Sequence, residues 1–147
     1  MAKEYKIFIS HSWQYTDTLE ALRNLLNARG YFSATYEEST KDKPINSDDE
    51  SYVKRRLAQK IGGSDVILAL AGVYASHSSW MQWELDKAIE LGIPVIGVIP
   101  RGQDRISTEV SSRSIVDINW NTESIVSAIR KYAKIAKTDP MDMSSFK

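Results

Sequence analysis

The chain has 147 residues, 42% of them hydrophobic, which suffices for one globular domain with a real core. Its formal net charge is zero and its pI is about 6.7, which argues against nonspecific nucleic-acid binding as the main activity. The absence of cysteine excludes a disulfide framework, thiolate chemistry and a zinc finger, and no long apolar run suggests a signal peptide or membrane span. The expected location is the cytoplasm.

Strand and helix patterns alternate along the chain. Tyr5-Lys6-Ile7-Phe8-Ile9-Ser10 reads as a first strand. Asp17 with Glu20 forms a capping box for a helix carrying Leu19, Leu22, Leu25 and Leu26, stopped by Gly30. The aromatic-rich stretch from Tyr31 to Tyr36 is a second strand, and the polar stretch from Glu37 to Asp49, with Pro44, is a loop. Ser47 and Glu50 make a second capping box, opening a helix with Val53, Leu57 and Ile61 on one face and Gly62-Gly63 at its end. Asp65 to Ala71 forms a third strand. A third helix then presents Met81, Leu85, Ala88 and Ile89 as its core face and ends at Gly92. Pro94 to Ile99 is a fourth strand. Both of these strands are apolar without alternation, as central parallel strands covered on both faces are.

The stretch from Arg101 to Arg113 reads as a loop and Ser114 to Ile118 as a short edge strand. Asn121 caps a last helix bearing Ile125, Ile129, Tyr132 and Ala136. The pattern implies right-handed crossovers and a flavodoxin-like three-layer α/β sandwich, with a five-stranded parallel sheet in the order 2-1-3-4-5. Residues 1–137 form a single domain in this reading, and residues 138–147 a frayed tail.

In such a sheet, ligands bind at the carboxyl ends of the strands. After strand one stand Ser10, His11, Ser12 and Trp13. Their hydroxyls and backbone N–H groups suit a phosphate or ribose, and the indole suits a base; an ordinary strand-to-helix turn would also use such serines. After strand three, Tyr74 and Ser76 border the same crevice. Trp80 and Glu84 lie four apart, one helical turn above one another, at the rim of the core. A carboxylate beside an aromatic wall suits a sugar cation or a nucleotide; alternatively, Glu84 complements the helix dipole and Trp80 packs. His11 and His77 have no further ligand at metal spacing, so no metal site is expected. Lys54-Arg55-Arg56 reads as a solvated helix face.

Several functions lack their parts. There is no GxGxxG and no GxxxxGK[ST], so dinucleotide redox binding and P-loop phosphoryl transfer have no backbone cradle. A response-regulator receiver needs acids after strand one and an aspartate ending strand three, whereas Asp65 stands at the opposite end of that strand.

Two segments carry a family resemblance. Tyr5-Lys6-Ile7-Phe8-Ile9-Ser10-His11-Ser12 resembles the first box of TIR domains, where a strand ends in Phe-Ile-Ser. Ser79-Trp80-Met81-Gln82-Trp83-Glu84 resembles the family's Trp-x-x-x-Glu segment on the third helix. Both stand in order within roughly the first hundred residues. The chain is most similar to the bacterial TIR-like proteins of Thoeris antiphage defence. The stretch Glu37 to Asp49 takes the place of the BB loop but lacks its Arg-Asp-x-x-Pro-Gly core; Lys43-Pro44 alone echoes it, which puts in doubt the loop-mediated assembly of receptor TIR domains.

The resemblance implies that Glu84 is catalytic, cleaving NAD at the nicotinamide–ribose bond, as an NAD glycohydrolase or ADP-ribosyl cyclase. Ser10, His11, Ser12, Trp13, Tyr74, Ser76 and Trp80 would then bind NAD, which is the substrate, so no separate cofactor is implied. The implied product is an ADP-ribose-derived, cyclic messenger acting on a separate effector protein. A homo-oligomer stays open, and neither nucleic acid nor membrane is an expected partner. Two alternatives stand beside this: a noncatalytic TIR interaction module, and a nucleoside deoxyribosyltransferase-like enzyme, which uses a glutamate on a related fold.

Overall fold

The computed structural model describes residues 4–11, 16–38, 50–70, 79–100 and 108–133. Among these, the apolar runs form the centre of one parallel sheet: β1 (Glu4–His11), β3 (Val66–Leu70) and β4 (Val95–Val98). Strands β2 (Ser33–Glu38) and β5 (Val116–Ile118) form its edges, and the order is β2-β1-β3-β4-β5, as the element pattern implies. Helices α1 (Thr16–Asn27) and α5 (Thr122–Tyr132) cover one face, and α2 (Glu50–Gly62), α3 (Ser79–Glu90) and the single turn α4 (Thr108–Ser111) the other. The sandwich has three layers.

The two faces follow from the two-residue period of a strand. Tyr5, Ile7 and Ile9 of β1 share a core with Leu19, Leu22 and Leu26 of α1 and Ile125 and Ile129 of α5. Phe8, one step out of phase, joins Ile67, Ala69 and Val95 against Leu57, Ile61, Met81 and Leu85. Every residue of β3 and β4 is buried, which is why neither strand alternates.

Helix ends explain most differences from the sequence reading. The end of α3 at Gly92 is as expected: Gly92 has φ 77°, its N–H donates to Ile89 O, and the Ile93 N–H donates to Ala88 O, a Schellman closure. Asn121 caps α5 as expected, its side chain accepting from the Ser124 N–H at 3.0 Å. Helix α1 instead opens at Thr16, so Asp17 belongs to its first turn rather than its cap. Helix α2 is described from Glu50 onward, and Ser47, its expected cap, lies outside the described residues. Strand β2 begins at Ser33, two residues later than expected, and takes in Glu37 and Glu38. Tyr31 is left-handed (φ 61°) and 92% exposed, and it turns the chain so that Phe32 stacks on Tyr5, ring centroids 5.6 Å apart. The stretch expected to be a loop up to Arg113 contains α4, whose Val110 is fully buried in the core between α3 and the sheet. Ala136 and the tail lie outside the described residues.

Asp65 has a structural task at the amino end of the sheet. Its Oδ2 accepts the Lys6 backbone N–H at 2.9 Å, while its own N–H donates to Lys6 O at 2.7 Å. The pair locks β3 against β1 in the register that sets Ser10 beside Ala69. Asp65→Ala strands the Lys6 N–H in a part-buried setting and should cost about 1–3 kcal/mol, read by chemical denaturation; Asp65→Asn keeps an acceptor and should cost less.

The ends of α1 and α5 are tied outside the core. Arg29 Nε and Nη2 each donate to a Glu123 carboxylate oxygen at 2.9 Å. The Arg29 hydrogen bond, with the charges of Arg29 and Arg130, holds the Glu123 carboxyl below its ordinary 4.5 against an opposing effect of desolvation. A carboxyl so lowered stabilises the fold above its unfolded value, and that contribution disappears as pH falls through the folded value. The difference in melting temperature between the parent and Glu123→Gln should therefore be present at neutral pH and close in acid, measured at low salt, because the pair is exposed.

Candidate active site

Helix α3 leaves the carboxyl edge of the sheet and runs back across β1, β3 and β4. Among its described side chains, Met81, Glu84, Leu85 and Ala88 are buried, at i, i+3, i+4 and i+7. The helix is thus rotated from the expected core face: Ile89 is 52% exposed, and a glutamate occupies the stripe in its stead. Glu84 is only 2% exposed, well inside the rim where its spacing from Trp80 suggested it would lie.

The carboxylate is met by the sheet. Ser10, fully buried in β1, follows Phe8 by two residues and so points to the same face. Its Oγ donates to Glu84 Oε1 at 2.6 Å, joining positions 74 residues apart. The room for this contact comes from one row of the sheet, in which Ser10, Ala69 and Gly97 are Cα partners on adjacent strands. Larger side chains there would hold α3 off the sheet.

Ionised carboxylates are almost never fully buried without partners, because burial strips their hydration. A short hydrogen bond from a hydroxyl offsets part of that cost and favours the charged form, since Ser10 Oγ donates to it. Beside Glu84, the half-buried indole of Trp83 packs against the core, with Lys54 Nζ of α2 and Lys87 Nζ of α3 each 5.6 Å from its ring centroid. The sequence reading singled out neither Trp83 nor Lys54 as a neighbour. The Trp83–Lys87 spacing of four residues was a signal for one contact, but the approach of Lys54 from another helix leaves no local trace.

Of the expected site residues, the described structure brings Ser10 and Glu84 together. His11 ends β1 and Trp80 lies in the first turn of α3, with both side chains outside the described set. Ser12, Trp13, Tyr74 and Ser76 lie outside the described residues, as does the stretch 39–49 in the BB-loop place. Among the described residues, no cluster of three or more His, Asp or Glu is set to hold a metal ion, and no helix is long and apolar enough to cross a membrane.

Residues 8–105 match the family model of the Thoeris protein ThsB, TIR-like domain. The chain belongs to this family. The matched span runs from mid-β1 past β4 and includes both Ser10 and Glu84. No curated protein matches the chain. Among solved structures, the TIR-like chain is similar to the 2-deoxyribosyltransferase of the psychrotolerant bacterium Bacillus psychrosaccharolyticus, with TM-score 0.59 and 16% identity over 82% of this chain and 89% of that one. It is also similar to a 3-dehydroquinate dehydratase-like protein from Bifidobacterium longum, with TM-score 0.51 and 11% identity over 90% and 95% of the two chains. At such identities the likeness is one of fold alone.

Because the cost of Glu84 lies in its charge, Glu84→Gln should not unfold the protein. The amide oxygen can still accept from Ser10 Oγ, and a buried charge is removed. Its stability should stay within about 1 kcal/mol of the parent at neutral pH in thermal or urea melts, because the relief of removing a charge is offset by an amide NH2 placed at the buried Oε2 position.

Proposed function

We propose that this TIR-like protein cleaves NAD at the bond between nicotinamide and ribose, and that Glu84 is the residue that makes the reaction fast. The observation that supports this reading is the burial of the Glu84 carboxylate at the α3–β1 seam, held by Ser10. A buried carboxylate can serve structure, as Asp65 does through the backbone of β1, whereas Glu84 is met by a side-chain hydroxyl at the carboxyl end of that strand, where a glycosyl-transfer site would use it.

In NAD the nicotinamide nitrogen carries a positive charge. When the C1′–N bond breaks, its electron pair goes to that nitrogen and neutral nicotinamide departs, so no acid is needed to protonate it. Positive charge then develops at C1′ and the ring oxygen. A carboxylate fixed nearby stabilises that charge without reorganising at the moment of reaction. An acceptor hydroxyl next forms the new bond to C1′ and gives up its proton. If the acceptor is water, the product is ADP-ribose. A hydroxyl of the same molecule, held close, gives a cyclic isomer and competes with water through its high effective concentration. Membership of the Thoeris family favours the cyclic outcome, with the product diffusing to a separate effector.

Glu84→Gln should reduce nicotinamide release from NAD by at least about a hundredfold under activating conditions, the scale of losing one preorganised electrostatic contact. Equal rates for the parent and the variant would sink the assignment. Mass spectrometry of the parent's products tests the second half: a cyclic ADP-ribose isomer is expected, and linear ADP-ribose alone would replace signalling with plain NAD depletion.

A further inference from the structure

We propose that Ser10 is a positioning residue for this reaction, holding the Glu84 carboxylate in one orientation through its buried Oγ and setting the lower pH limit of activity. The inference rests on the assignment of Glu84 above and goes beyond it, because it removes Ser10 from the substrate-contacting set and gives it a role through another residue. Ser10 Oγ is committed to Glu84 Oε1 at 2.6 Å, and Ser10 itself is fully buried.

Two features single out this contact. A glutamate has three side-chain torsions, so a carboxylate on an amphipathic helix is not held by the helix alone. Here the strand supplies a restraint, from a position in β1 that is level with Ala69 of the adjacent β3. The donor is also neutral. A lysine or arginine in its place would cancel the charge that the developing ribosyl cation needs, whereas a hydroxyl favours the ionised carboxylate and leaves its net charge intact.

The surroundings of Glu84 make the hydroxyl matter. The described strand residues beneath α3 on this face are Phe8, Ile67, Ala69, Val95 and Gly97, none of which titrates. Helix α4 contributes the apolar Val110, and α2 the apolar Leu57 and Ile61 with Lys54 over Trp83. On α3 itself, Asp86 is bound by Arg113 at 2.6 Å, and Lys87 by Glu90 at 3.0 Å. At the far ends of β1 and β3, Lys6 and Asp65 are tied through backbone groups. Burial against these described apolar residues favours the protonated acid, and the Ser10 hydroxyl opposes it.

The test compares Ser10→Ala, Ser10→Thr and Glu84→Gln with the parent. Ser10→Ala should lower kcat for NAD by roughly ten- to a hundredfold at neutral pH with little change in KM, as a displaced catalytic group does. The acid limb of its pH–rate profile should move up by about one to two pH units, the scale of one hydrogen bond to a charged group. Ser10→Thr, which retains the hydroxyl, should recover most of the rate and the original limb. If Ser10→Ala matches the parent in rate and pH profile while Glu84→Gln is dead, the positioning role is wrong and the catalytic assignment stands. If Glu84→Gln is fully active, the catalytic assignment fails instead. A second measurement needs no turnover: 13C NMR titration of glutamate-labelled protein, with the Glu84 signal identified by its loss in Glu84→Gln. The Glu84 carboxyl should titrate at higher pH in Ser10→Ala than in the parent, and coincident curves would overturn the proposal.

Discussion

A carboxylate taken out of water between a helix and the middle of a sheet constrains everything around it. It needs a donor, the donor needs a fixed backbone, and both need space that a normal core would fill. Ser10 is one donor, β1 its backbone, and the row Ser10, Ala69 and Gly97 the space. Each of these would be a poor choice for stability alone. A hydrophobic residue at position 84, packed on larger neighbours, would gain transfer energy instead of incurring desolvation. The seam between α3 and β1 therefore looks built around the charge, with the remaining core supplying the stability that this place forgoes.

That supply is visible in the layout. The α1–α5 side of the sheet carries a large apolar core, with Leu22, Leu26, Ile125 and Ile129 fully buried in one cluster with Ile7, Ile9 and Leu68. Each such side chain contributes about 1.5–3 kcal/mol relative to exposure, so one face can hold the sheet while the other accommodates a buried carboxyl group. The Asp65–Lys6 contact works at the far edge. By locking β1 and β3 in register there, it determines which residues are level with one another five residues later, at the carboxyl edge.

The α2–α3 groove adds a second electrostatic feature. Lys54 and Lys87 approach Trp83 from two helices, beside a carboxylate that lies beneath the same stretch of α3. Two lysines thus gather at the indole next in sequence to the buried Glu84, although the chain as a whole is neutral. Net charge describes association with bulk polyanions; it is silent about such local arrangements.

Much of this was legible in the residues. Alternating patterns, apolar central strands and the Asn121 and Gly92 signals led to the strand order and most element positions, because hydrophobic period and cap chemistry are local properties. The Phe-Ile-Ser and Trp-x-x-x-Glu segments pointed to the family and to Glu84. What the residues could not convey were contacts between distant positions and the rotation of α3. On a helical wheel Glu84 and Ile89 compete for the edge of one apolar stripe, and hydrophobicity alone chooses Ile89. The sheet chose Glu84, because a serine directly below it offers a hydrogen bond and small neighbours offer room, while Ile89 could turn to solvent. That decision depends on parallel pairing between strands far apart in the chain, so only the tertiary structure could make it.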